Sequence, residues 1–153
     1  MFKELKKGEI SKIESEYSNF FIEDKILEKS IEKGKDYFVF YDGPATANGM
    51  PGLHHMVAKF LKDAFCKYKT MQGFKVIRKI GWDTHGLPVE VQVEKKLGFT
   101  DKKNIEKFGI KEFNEECRKA VWENEKAFSD LTKKMGQFID LEHPYVTYDN
   151  NYI

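Results

Sequence analysis

The chain has 153 residues, 41% of them hydrophobic and 33% charged, and its 26 basic and 25 acidic side chains leave a formal net charge of +1. That length holds one ordinary domain or part of a larger one, and it buries about two-thirds of the unfolded surface, enough for a core. The balance of charge excludes a histone-like tail, a polyacidic tail, and nucleic-acid binding driven by overall charge alone.

No window approaches the ~20 apolar residues of a membrane span, and the opening MFKELKKGE has no apolar core to act as a secretory signal. Cys66 and Cys117 are far apart and form no CxxC pair. This argues against a disulfide framework or a local thiolate zinc site and favours a reducing, cytoplasmic setting.

In chain order, residues 1–36 are polar and charged, with a few apolar anchors. Ile26, Leu27 and Ile31 predict a helix over Ile22–Lys33, with Gly34 as its stop. The run Tyr37-Phe38-Val39-Phe40-Tyr41, closed by Asp42-Gly43-Pro44, reads as a strand buried on both faces. Asp42 to Gly52 reads as a loop. Val57, Phe60, Leu61, Ala64, Phe65 and Tyr68 then define the apolar stripe of a helix. Val76, Ile77 and Ile80 predict a second buried strand, ending in the turn-rich cluster Gly81 to Pro88. Strand, loop, helix, strand is the βαβ pattern, with a parallel pair and a right-handed crossover.

Val89–Leu97 follows as a short helix broken by Gly98. A long amphipathic helix runs from Lys111 to Met135, its stripe being Phe113, Cys117, Ala120, Val121, Asn124, Phe128, Leu131 and Met135. Pro144, Tyr145, Val146 and Tyr148 predict one more strand. The fold class is therefore α/β. There is no internal repeat and no low-complexity segment.

Ligands of open α/β sheets bind beyond the carboxyl ends of the strands, where loops meet helix starts. His54 and His55 open a helix there, where backbone N–H groups and the helix dipole favour an anion. Asp83 and His85 close the neighbouring strand, and Asp83 is a candidate to hold a substrate ammonium. A histidine at a helix start also serves as a plain surface residue or cap. A metal site from His54, His55, Asp83 and His85 is disfavoured, because adjacent residues do not easily aim at one ion. His143 reads as a surface loop residue and Asn124 as a satisfied core amide. Seven basic residues (Lys59, Lys62, Lys67, Lys69, Lys75, Arg78, Lys79) against Asp63 form either an RNA or triphosphate contact or a solvated face. No GxxxxGK[ST] and no GxGxxG follows the first strand, which leaves P-loop and dinucleotide readings unsupported.

Tyr41-Asp42-Gly43-Pro44 followed by Ala47-Asn48-Gly49-Met50-Pro51 resembles the first signature region of class I aminoacyl-tRNA synthetases, the isoleucyl family in particular. Gly81-Trp82-Asp83-Thr84-His85-Gly86-Leu87-Pro88-Val89-Glu90 is similar to the second conserved block of that family, Glu94 to Gly98 continues the likeness, and Tyr148-Asp149-Asn150 is similar to the point where the family's chain carries on. Leucyl enzymes usually carry Ala-Phe where this chain has Thr84-His85, valyl enzymes read differently in the second block, and methionyl enzymes lack the Trp-Asp-Thr-His run. The usual His-x-Gly-His signature stands here as Gly52-Leu53-His54-His55, a variant that resembles a subset of isoleucyl enzymes.

The resemblance implies the first half of a Rossmann-like nucleotide-binding catalytic domain over 37–153, preceded by an N-terminal helical extension over 1–36. It implies isoleucine activation with ATP and Mg2+, then transfer to tRNA, with no membrane or DNA partner. Carried over residue by residue, His54 and His55 are the catalytic candidates, with His55 on the phosphates and His54 supplying part of the contact that Gly52 lacks. Ala47, Asn48, Gly49, Gly52 and Leu53 join them in binding ATP, while Gly43, Pro44 and Asp83 bind the amino acid. No resident metal is implied for these residues. Nothing resembles the family's Lys-Met-Ser-Lys-Ser loop, editing insertion, anticodon-binding helices or cysteine-rich zinc end. The expectation is an N-terminal piece with half an active site, inactive alone, with an apolar sheet edge exposed. The rival readings are a valyl or leucyl synthetase, a small nucleotidylyltransferase, and a non-catalytic module that binds tRNA or a partner.

Overall fold

The computed structural model describes residues 8–46 and 48–153. Their chain order is α1 (Glu9–Glu23), α2 (Ile26–Lys33), β1 (Ala45–Thr46), α3 (Leu53–Met71), β2 (Lys79–Asp83), α4 (Leu87–Leu97), α5 (Lys102–Phe108), α6 (Ile110–Lys134) and β3 (Asp140–Val146). The residues fall into two compact units. Among the described residues, one unit holds the chain from Gly8 to Phe40 with Leu53–Arg78 and Leu131–Ile139; the other holds Tyr41–Gly52, Lys79–Asp130 and Asp140–Ile153.

In the first unit, the single helix expected over Ile22–Lys33 is two. Lys25 takes a left-handed conformation (φ 50°), which breaks the chain between α1 and α2 and puts Ile22 in the last turn of α1. Gly34 does close α2, but at an ordinary φ of −66°. Its reason is space, because a Cβ there would run into the backbone of Lys75. That close approach lets Lys35 N–H donate to Gly73 O (3.1 Å) and Lys75 N–H to Asp36 O (2.7 Å).

The aromatic run 37–41 is not a doubly buried strand. It pairs by one parallel bridge, Tyr37 to Lys75. Its side chains alternate: Phe38 and Phe40 are half-buried, while Tyr37, Val39 and Tyr41 are exposed. Phe38 meets Phe74 with ring centroids 6.1 Å apart. A continuous apolar run therefore covers only one of its faces here.

Helix α3 reverses the sequence expectation. All six residues of its apolar stripe are exposed, Phe60 at 67% and Phe65 at 62%. The packed face is the polar one, built on Asp63, Cys66, Lys67 and Thr70. Asp63 accepts from Phe138 N–H (2.9 Å), and Lys67 pairs with Asp63 and donates to Gly136 O (3.0 Å). The buried Arg78 donates to Phe138 O (3.2 Å) and to Thr70 Oγ1. Burial holds the Arg78 pKa below its usual value, partly offset by Cys66 and Asp63. Of the seven basic residues in the 59–79 stretch, Arg78 is thus an internal clamp and Lys67 is committed to this network.

The second unit carries the sheet, in the order β1-β2-β3 with both pairings parallel. A parallel pair with a helix between its strands in the chain is present, but it joins β1 and β2 around α3 rather than the expected strands 37–41 and 76–80. β1 lies inside the expected loop 42–52. β2 starts later than predicted, leaving Ile77 exposed, and runs on through Gly81-Trp82-Asp83, so the turn begins at Thr84. Gly81 and Trp82 are buried, and the face of Gly81 is covered by the Tyr145 ring from β3. β3 begins earlier than expected and takes in His143. That residue is exposed as predicted but belongs to a strand rather than a loop, its Nδ1 lying 3.1 Å from Asp140 Oδ2.

The core of this unit lies between α4 and α6. Val89 and Val121 pack with Cys117 and Tyr148; Val93, Phe113 and Ala120 pack with Leu97, Phe99, Ile105 and Cys117. Burying each valine or phenylalanine stabilises the fold by roughly 1.5–3 kcal/mol. From Phe113 to Phe128 the predicted stripe of α6 is buried or half-buried, and Asn124 sits on it as a satisfied amide, donating to Gln92 Oε1 (3.0 Å). Pro88 opens α4 and Gly98 closes it in a left-handed conformation, φ 72°. Helix α5 has no counterpart in the sequence reading. Its signal was Asp101, whose carboxylate caps the helix by accepting from Lys103 N–H (3.3 Å).

Candidate active site

The expected site residues divide between the two units. In the first, Leu53, His54 and His55 form the opening of α3. The first N–H groups of any helix lack intrahelical acceptors, and they carry the positive end of its dipole. No acidic residue stands in this first turn to compete for them. His54 is exposed and His55 half-buried, and their rings lie 3.9 Å apart at 41°. The two imidazoles thus form one contiguous donor surface beside the helix start, rather than two diverging side chains. This arrangement is suited to phosphate oxygens.

In the second unit, the carboxyl ends of three parallel strands converge. Thr46 ends β1 and Asp83 ends β2, and the two are register partners. Asp83 is half-buried, and Thr46 Oγ1 donates to its Oδ2 at 3.1 Å. Beyond Asp83 the turn is tied to the end of β3 by a buried threonine pair. Thr84 N–H donates to Thr147 Oγ1 (3.0 Å), the two hydroxyls lie 3.2 Å apart, and Tyr148 N–H donates to Thr84 Oγ1 (3.2 Å). The last residue of β2 therefore leaves the sheet in a fixed direction.

Gly43 is exposed and Pro44 half-buried, in the approach to β1. The carbonyl of Asp42 just before them accepts from Tyr145 Oη (3.1 Å), which pins this approach to β3. The Tyr145 pKa is raised, first by burial and then by Asp42 and Tyr152. Asn48, exposed, and Gly49 and Gly52, half-buried, follow β1 in the same unit. Ala47 lies outside the described residues.

His85 is exposed and faces a recess of about 170 Å³ that it lines with Thr84, Glu90, Cys117, Arg118 and Tyr148. Burial, with the carboxylates of Glu90, Glu116 and Glu94, pushes the Cys117 thiol up to about 11, so it is a packing group and not a nucleophile at neutral pH. Among the described residues, no group of three or more His, Cys, Asp or Glu side chains is placed to hold a metal ion, and no helix is long and apolar enough to cross a membrane.

Sequence reasoning named Asp83 and the histidines but not Thr46, Thr84 or Thr147. Threonines in strands are common, and only the register reveals which of them meet.

A family model described as tRNA synthetases class I (I, L, M and V) matches residues 16–153. The chain is 51% identical over 150 residues to an isoleucine–tRNA ligase of Cytophaga hutchinsonii, covering 97% of this chain and 14% of that protein. It is 47% identical over 154 residues to the isoleucine–tRNA ligase of Porphyromonas gingivalis, covering 99% of this chain and 14% of that protein. It is also 53% identical over 137 residues to that of Streptomyces avermitilis, covering 88% and 13%. The chain thus spans only about 14% of the length of relatives it matches almost end to end.

Among solved structures it resembles the agnB2 LeuRS of Agrobacterium radiobacter K84, from a ternary complex with tRNA and LeuAMS, with a TM-score of 0.70 at 15% identity over 91% of this chain and 16% of that one. At that identity the likeness speaks to the fold, a Rossmann-like α/β half domain. Together, the family match, the parallel sheet and the two signature regions show that the chain belongs to the class I tRNA synthetases.

Proposed function

We propose that this chain is the N-terminal part of an isoleucine–tRNA ligase of the cytoplasm, and that it contributes to the ATP-dependent activation of isoleucine and the charging of tRNA(Ile). The observation that carries this reading is Asp83, a carboxylate fixed at the carboxyl end of β2 within a chain about half identical to isoleucine–tRNA ligases. On this reading residues 1–36 are a helical extension and 37–153 the first half of the catalytic domain.

Asp83 binds the ammonium of isoleucine, and Gly43 and Pro44 shape the wall of the amino-acid pocket. The N–H groups at the start of α3 and the His54–His55 pair hold the triphosphate of Mg-ATP, and by the family resemblance Ala47, Asn48, Gly49, Gly52 and Leu53 also bind ATP. Gly52 supplies no imidazole, and His54, in contact with His55, takes over part of that role.

The chemistry is an in-line displacement. The isoleucine carboxylate oxygen bonds to the α-phosphorus while the bond to the β-phosphate oxygen breaks, and pyrophosphate leaves with the electron pair. The aminoacyl group then passes to tRNA. Such a reaction needs positioning and charge stabilisation rather than a protein nucleophile. Magnesium travels with the substrate ATP and shields its charge. The described residues offer no cluster that fits a zinc ion, and no step here uses one.

The test is isoleucine-dependent ATP–pyrophosphate exchange, with valine and leucine as controls, on this chain and on the full-length protein that contains it. Exchange is expected only in the full-length protein, with isoleucine preferred. A preference for valine or leucine would reassign the substrate. Tight tRNA binding with no exchange in either protein would favour a binding module.

A further inference from the structure

We infer that Thr46 is a positioning residue for Asp83, holding the carboxylate in the orientation that receives an amino-acid ammonium. This rests on the reading of Asp83 given above.

Two observations carry it. The parallel register sets Thr46 directly beside Asp83, and side chains at paired positions of neighbouring strands leave the same face of the sheet. The Thr46 hydroxyl then donates to Oδ2 at 3.1 Å. β1 is only two residues long, and one of its two register pairs is this one.

A carboxylate has two oxygens and several acceptor sites. Committing Oδ2 to a donor on the sheet leaves Oδ1 for the ligand. Threonine suits the task because its β-branch restricts χ1, so the donor itself is fixed. An aspartate at the end of a strand otherwise samples several rotamers, and ordering it would be charged against ligand binding. With Thr46 in place, that ordering is completed by the fold.

The experiment uses the full-length protein and steady-state ATP–pyrophosphate exchange. Thr46→Val is nearly isosteric and replaces the hydroxyl with a methyl group, so the donor is lost. The KM for isoleucine should rise about ten-fold, in line with loss of a hydrogen bond to a charged group. The KM for ATP should stay within about two-fold, and Thr46→Ser should restore most of the loss. Should Thr46→Val fail to fold, Thr46→Ala carries the same comparison. An unchanged isoleucine KM, an equal rise in both KM values, or no rescue by serine would overturn the inference.

Asp83→Asn run alongside separates the two levels. If it raises the isoleucine KM while Thr46→Val does not, only the positioning role falls. If Asp83→Asn leaves that KM unchanged, the reading of Asp83 falls, and the role of Thr46 with it.

Discussion

Tyr145 lies flat over Gly81, and a methyl group at that glycine would overlap the ring. The ring has little room to retreat, because its hydroxyl is bonded to Asp42 O and its other neighbour is Tyr152, stacked at 5.8 Å and 9°. Gly81→Ala should therefore destabilise the protein by about 1–3 kcal/mol, the usual cost of overpacking, read as a lower urea midpoint at unchanged slope. A neutral result would mean that Tyr145 is free to swing out. The sequence reading placed the glycine in a turn cluster and in the second conserved block, whereas the structure has it inside β2. What it hid was the partner, since Tyr145 is 64 residues away and only strand pairing brings it there. The placement of Asp83 at the end of a strand and of His54 and His55 at the start of a helix was legible from the strand and helix patterns, and the family resemblance added the roles proposed for them. Thr46, Thr84 and Thr147 were not legible, because their role depends on register alone.

Among the elements, α4 and α6 were readable because Val89 and Val93 of α4 and Phe113 to Val121 of α6 lie in apolar core clusters, and α4 carries both Pro88 and Gly98 as punctuation. α3 misled for a physical reason. Periodicity reports where apolar residues lie on a helix, not whether this chain supplies the surface that covers them. The aromatic run 37–41 failed in the same way, with every second side chain left exposed. The roles of the two faces of α3 can be separated by substitution. Asp63→Ala removes the acceptor of Phe138 N–H and the partner of Lys67, and it should cost about 1–3 kcal/mol in this chain. Phe65→Ser, on the exposed apolar face, should fall within about 0.5 kcal/mol of wild type. Denaturant midpoints of the two variants check this directly, and the reverse order would mean that the apolar face is packed in solution.

For the molecule as a whole, α3 leaves a run of large apolar side chains exposed. A run of large apolar side chains left in water is normally an interface. The near-neutral charge gives little repulsion to keep such surfaces apart. The α/β class and the parallel pairing followed from the alternation of strand and helix patterns. The partition into two units did not, because it depends on contacts between segments far apart in the chain. The central claim is that this stretch supplies two different substrate contacts, a triphosphate site at the start of α3 and an ammonium site at Asp83. It is tested most directly by measuring both KM values in ATP–pyrophosphate exchange for His55→Ala and Asp83→Ala in the full-length protein. The account predicts a split of at least about ten-fold in each case, with His55→Ala raising the KM for ATP and Asp83→Ala raising that for isoleucine. Equal effects on both substrates from either variant, or the opposite pairing, would contradict it.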